Sequence, residues 1–226
     1  MGELIVAGAV WVVTHLGLSS TGLRSVIVGA IGERGFQGVY SLVAAASLVW
    51  LVMTYNATPQ FDYLWGPDPA LRMVPMIVMP FAFMFMLGGF MVRNPTAVGQ
   101  EAQVKAVGEG SGFVRITRHP FQWSVVMWSV AHIIANGDTA SLVFFGSLGL
   151  VSLLGAHLID VKKAKKMGAD WEPFARATSN VPFAAILAGR NRLVLRELWL
   201  PALAGILVFG AAHAGHEWIS GVSLIR

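Results

Sequence analysis

Residues Thr139–Ile159, TASLVFFGSLGLVSLLGAHLI, run without one Asp, Glu, Lys or Arg, and the chain then turns abruptly polar at Asp160-Val161-Lys162-Lys163-Ala164-Lys165-Lys166. As a helix at about 1.5 Å per residue, that apolar run covers roughly 30 Å, the thickness of a bilayer's hydrocarbon core. Just before it stands Asn136-Gly137-Asp138, a tight-turn signal. Before the turn lies a second apolar stretch, Trp123–Ala135, so the two are expected to form an antiparallel hairpin. Pro120 suits the first turn of that helix, where its missing N–H costs nothing.

Working outward, four further apolar segments complete the set: Gly2–Ser19, Gly38–Tyr55, Leu71–Met91 and Trp199–Ile219. The expected fold is therefore all-α, a polytopic transmembrane helical bundle of about six spans, forming a single membrane domain over residues 1–226. Residues 4–18 read as the first span rather than a removed leader, because no basic segment precedes them. The mean hydropathy is +0.64, and charged residues make up only 12% of the chain, about half the share of a soluble domain.

Charge sets the orientation. With the N-terminus outside, Arg24, Arg34, Arg93, Lys105, Arg115, Arg118, Lys162, Lys163, Lys165, Lys166, Arg176, Arg190, Arg192 and Arg196 all fall inside, leaving Arg72 and Arg226 outside. The bias of Lys and Arg toward cytoplasmic loops then places both termini in the periplasm of a bacterial inner membrane. The net charge of +4 follows these loops and matches anionic lipid, not nucleic acid, for which no motif is present. The segment 167–198 is too polar to span. With Trp171, Phe174, Phe183 and Ile186 among basic residues, it is expected to lie on the inner surface.

Cysteine is absent, which excludes disulfides, thiolate metal sites and thiol nucleophiles. No phosphate loop, dinucleotide fingerprint or Ser-His-Asp order is visible. What stands out is histidine. His15, His132 and His157 lie within apolar segments and His119 lies at the mouth of one; ionisable groups there are costly and so are functional suspects. Histidine also supplies a nitrogen ligand to haem iron. His132 sits about 20 Å up the helix from His119, so a tilted helix is needed to level it with His15. His119 and His157 belong nearer the inner face. Arg115 and Arg118 can hold an anion such as a phosphate or a haem propionate. His213, His216 and Glu217, at helical spacing, read as one polar face at a helix end. Span three, rich in Met and Phe with Pro75 and Pro80, reads as a packed or lipid-facing helix, or as the soft wall of an apolar tunnel.

Several of these motifs recur together. Gly32-Glu33-Arg34-Gly35-Phe36-Gln37-Gly38-Val39-Tyr40-Ser41, Arg93-Asn94-Pro95, Thr117-Arg118-His119-Pro120-Phe121-Gln122-Trp123 and Ala131-His132-Ile133-Ile134-Ala135-Asn136-Gly137-Asp138 resemble the NnrU family. So do His157-Leu158-Ile159-Asp160, Trp171-Glu172-Pro173-Phe174 and Thr178-Ser179-Asn180-Val181-Pro182-Phe183. The resemblance implies a membrane protein linked to nitrite and nitric oxide metabolism, or to a plant and cyanobacterial haem b enzyme that isomerises 15-cis-zeta-carotene. It implies haem b, with His15 and His132 as axial ligands; Arg115, Arg118, His119 and His157, at the inner ends of the spans, are the further candidate cofactor contacts. Ser129 stands where the plant enzyme has a cysteine, so iron ligation through a thiolate there is not carried over. The implied partners are membrane lipid, an apolar polyene substrate and a membrane redox partner. Two other functions follow from the same residues. One is a non-enzymatic accessory protein of nitrogen-oxide reduction, with contact surfaces at 93–118 and 160–198. The other is a methyltransferase-like site for S-adenosylmethionine around Arg118, His119 and Asp160, suggested by a short likeness to isoprenylcysteine methyltransferase-like enzymes.

Overall fold

The computed structural model describes residues 1–66 and 68–222, so Arg226, placed outside the membrane above, lies outside the described residues. The protein is all-α. Its long helices are α1 (Gly2–Val13), α2 (Gly22–Ala57), α3 (Pro69–Phe90), α4 (Pro120–Asn136), α5 (Thr139–Met167) and α6 (Trp199–Ala214). Three helices, Gly22–Ala57, Pro69–Phe90 and Thr139–Ala177, are long and apolar enough to cross a membrane; Gly2–Leu18 and Trp199–Ala214 are apolar but shorter. Leu42 and Met53 of α2, Ile77 and Phe81 of α3, and Leu203 and Leu207 of α6 are exposed, as suits helices whose solvent is lipid.

The boundaries depart from expectation in three places. Residues 22–31, read above as part of a loop, are helical. Thr21 caps them by accepting the Leu23 amide at 3.2 Å, and the break comes at Gly32, whose φ of +73° only glycine adopts freely. Helix α5 does not stop at Ile159 but runs to Met167, because Lys and Ala are good helix formers that carry it past the apolar stretch. Helix α6 ends at Ala214, and a separate short helix, His216–Ser220, follows Gly215. His213 and His216 therefore do not share one continuous helix face.

The chain divides into two compact units, the first of residues 1–75 and 128–158, the second of residues 76–127 and 159–226. In the first, Leu4 and Ala7 of α1, Leu51 of α2, and Ala140, Phe144 and Phe145 of α5 form the core. Gly8 lets α1 approach α5, since a Cβ there would stand 3.3 Å from Val143. The Asn136-Gly137-Asp138 turn behaves as its sequence says. Asp138 accepts the Ser141 amide at 2.7 Å, capping α5, while the Leu64 amide donates to the Gly137 carbonyl at 2.7 Å and the Thr139 amide to Asp62 at 2.9 Å. Asp62 and Leu64 thereby lace their loop to the hairpin tip. The second unit has two apolar clusters. One joins Val104, Val114, Trp171 and Phe174; the other joins Phe85, Phe113 and Ile116. The segment 167–198, as expected, forms no span; it folds into the short helices Trp171–Ala177 and Ala184–Leu187 and their connections.

Candidate functional site

His15 and His132 both belong to the first unit. His15 lies in a π-helical turn, Thr14–Leu18, that continues α1. Such turns are rare and are frequent at functional sites. Its Nδ1 stands 2.9 Å from the Trp11 carbonyl. His132 Nδ1 stands 2.8 Å from the Trp128 carbonyl. A carbonyl oxygen can only accept, so in both rings Nδ1 carries the proton and Nε2 carries the lone pair. Metal-ligating histidines are commonly oriented in this way, with one nitrogen donating to the protein and the other turned to the metal.

Aromatic rings fix the two imidazoles further. Trp11 lies against His15, 3.6 Å between centroids, and Tyr40 of α2 meets it edge-on at 5.8 Å. Phe145 stacks on His132 at 4.9 Å, with Trp128 at 5.2 Å. Trp11 and Trp128 pack against the same apolar core. Gly8 faces Val143 and Ser147 of α5, the stretch that contains His132's neighbour Phe145. Ser129, which is fully buried, turns toward Gly149, where an added Cβ would sit 3.1 Å from its Oγ. That close approach joins α4 to α5. Imidazole nitrogen is a donor suited to haem iron, and His15 and His132 are each oriented through Nδ1 by a backbone carbonyl.

The second unit holds a buried polar cluster. Arg118 Nε donates to Asp160 at 2.9 and 3.0 Å, and its Nη1 reaches the Ala175 carbonyl and Thr178 Oγ1. His119 Nε2 lies 2.7 Å from Asp160 Oδ1. Arg118 is 13% exposed, Asp160 16% and His119 not at all. Burial pushes the His119 pKa down, against the opposing pull of Asp160. Backbone is woven into the cluster: Asn94 Nδ2 donates to the Arg118 carbonyl at 2.9 Å, and the Arg118 amide to Ser179 at 2.9 Å. The Arg93-Asn94-Pro95 and Thr117-Arg118-His119-Pro120 motifs thus meet in space.

Arg115 is anchored separately. Its Nε donates to Glu197 at 2.9 Å, and its Nη1 to Glu109 at 2.7 Å and Asn191 at 3.0 Å. Burial raises the Glu197 pKa, but Arg115 and the Gly112 amide outweigh it and hold the carboxyl below its ordinary value. Both arginines named for a propionate are therefore engaged by the protein's own carboxylates. His157 is exposed on α5. Glu197, Glu109, Asn191 and Glu101, the partners of Arg115 and Lys163, had no distinguishing signal in the sequence. Tyr40 lay inside a quoted motif without a role, and the π turn was not foreseen.

The sequence profile of the NnrU protein family matches residues 3–224, and the chain belongs to that family. It is 30% identical over 226 residues to the chloroplastic 15-cis-zeta-carotene isomerase of Arabidopsis thaliana, covering 95% of this chain and 59% of that protein. It is 38% identical over 193 residues to the chloroplastic 15-cis-zeta-carotene isomerase of Zea mays, covering 81% of this chain and 50% of that protein. The chain thus spans about half the length of the curated relatives it matches. No solved structure matches.

Proposed function

We propose that this NnrU-family chain is a membrane-embedded protein that holds haem b through His15 and His132 and acts as a cis/trans isomerase on a carotenoid-like polyene. The observation that carries the reading is the shared anchoring of the two rings. Each donates Nδ1–H to the carbonyl one turn back, the orientation common to metal-ligating histidines. The similarity to two isomerases of 15-cis-zeta-carotene supplies the substrate class. Haem, if held by His15 and His132, would supply redox-active iron.

The protein's own part is orientation and exclusion of water. Trp11, Tyr40, Trp128 and Phe145 surround the imidazoles with apolar rings, which favours neutral histidine and an apolar substrate. We read the chain as multi-pass in a bacterial inner membrane with both termini periplasmic, on the asymmetry of its Lys and Arg residues. Purified protein is expected to show a Soret band that is lost or shifted in both His15→Ala and His132→Ala, and to convert 15-cis-zeta-carotene when haem is present. Wild-type haem content in both variants, in folded protein, would refute the ligand assignment. A haem-loaded protein without turnover would refute the isomerase reading.

A further inference from the structure

The connection that leads into α6 presents two exposed arginines, Arg192 and Arg196. Residues Arg192, Leu193, Val194, Leu195, Arg196 and Glu197 line an open groove of about 530 Å³. Both ends of this segment are pinned. Asn191 Nδ2 donates to the Glu109 and Ala177 carbonyls at 2.8 Å each, and its Oδ1 accepts from Arg115 at 3.0 Å. Glu197 is held by Arg115 Nε at 2.9 Å and the Gly112 amide at 2.7 Å. Between the pins the side chains turn outward: the Arg192 side chain is 77% exposed, and Leu195 is 71% exposed. The nearest carboxylate to Arg192 is Glu109 at 4.0 Å, and Arg196 makes no ion pair among the described residues. The one acid in the groove, Glu197, is already neutralised by Arg115.

The geometry points to this groove as a binding site for the phosphate of an anionic phospholipid, with Arg192 and Arg196 on the phosphodiester and Leu193, Leu195 and Trp199 against its glycerol and acyl chains. Charge and apolar character alternate here as a headgroup boundary requires. Arg192 and Arg196 are cationic, Leu193 and Leu195 between them are exposed, and exposed Trp199 opens the apolar helix α6. Guanidinium is the cation suited to a phosphate, because it offers paired donors in one plane. Arg190 is not part of the site, since its Nη1 is turned inward to the Arg176 and Thr178 carbonyls. The inference is independent of whatever His15 and His132 bind.

The test uses the full chain in neutral detergent micelles, titrated with phosphatidylglycerol, phosphatidylcholine or inorganic phosphate, with retained lipid counted by native mass spectrometry. Phosphatidylglycerol is expected to be retained over phosphatidylcholine. The double variant Arg192→Gln/Arg196→Gln should lose about 30-fold of that preference, at the usual worth of a basic residue near an anionic surface. Leu195→Gln should weaken retention of both lipids. Both positions are exposed, so circular dichroism and thermal unfolding of the double variant should match the wild type. Three results would overturn the proposal: equal retention of the two lipids, an unchanged preference in the double variant, or displacement of the lipid by millimolar inorganic phosphate, which would make the site one for a free anion.

Discussion

Replacing Asp160 by Ala removes the acceptor that holds both Arg118 and His119. The carboxylate takes the Arg118 Nε–H at 2.9 and 3.0 Å and the His119 ring at 2.7 Å. The guanidinium left behind is 13% exposed and keeps only the Ala175 carbonyl and Thr178 hydroxyl on Nη1. Breaking a buried pair from one side strands a charge and costs about 3–5 kcal/mol. For a chain of this size each kcal/mol moves the midpoint by roughly 2–4 °C, so Asp160→Ala should lower Tm by about 10 °C or more. The discriminating variant is Arg118→Met/Asp160→Ala, which removes both charges and should recover most of the loss, because the penalty lies in the unpaired ion rather than in the missing attraction. Thermal unfolding in mild detergent, followed by tryptophan fluorescence and circular dichroism, reads both. A double variant as unstable as the sum of its singles, or an Asp160→Ala midpoint within about 2 °C of wild type, would refute the account of this cluster.

Three further outcomes are expected. Gly205→Ala puts a Cβ 2.6 Å from Met84 backbone atoms, which cannot turn aside, and should cost about 1–3 kcal/mol; Gly146→Ala, with open space around it, should be tolerated, and equal effects in a thermal assay would remove the close approach of α6 to α3. Burial raises the Glu101 pKa, but hydrogen bonds from Lys163 and Lys166 outweigh it and hold the carboxyl at about 2 instead of the ordinary 4.5. Its stabilisation is therefore complete above about 4.5 and is lost as pH falls from there toward 2, so Glu101→Gln should flatten the stability curve in that window by about 1 kcal/mol after screening; parallel curves for both proteins would contradict it. A single cysteine at the exposed Asp68 should react with an impermeant thiol reagent in intact spheroplasts, and those at exposed Gly108 and Arg190 only after lysis, the reverse pattern overturning the orientation.

Local rules carried much of the fold. The apolar run at Thr139–Ile159 became a membrane-length helix, and Asn136-Gly137-Asp138 became a capped turn, because each is decided by residues close in sequence. Boundaries were lost where two local signals disagree. Residues 20–37 fell between the expected spans Gly2–Ser19 and Gly38–Tyr55, yet of the glycines there only Gly32 breaks the helix; the others cost little where a cap and apolar neighbours favour continuation. The basic run after Asp160 marked the end of the apolar stretch, not of the helix, since hydropathy says where lipid stops and propensity says where helix stops.

The same division governs the candidate site. Histidines were visible because a titratable ring is conspicuous in an apolar segment, and the carbonyl that fixes each ring lies four residues back on its own helix. The counter-charges were not visible, because nothing local pairs them: Arg115 meets Glu197 across 82 residues and Lys163 meets Glu101 across 62. This bears on what the arginines do. Read alone, Arg115 and Arg118 are cations waiting for an anion at the end of a span. Folded, each already has one, and each ties its loop to a distant segment, Arg115 to residues 191–197 and Arg118 to α5 and the turn after Trp171–Ala177. A buried guanidinium with its donors taken has little left to offer a propionate. Arg192 and Arg196 are exposed instead, so an anion that binds this part of the protein should be sensitive to those two positions and indifferent, in folded protein, to Arg115 and Arg118.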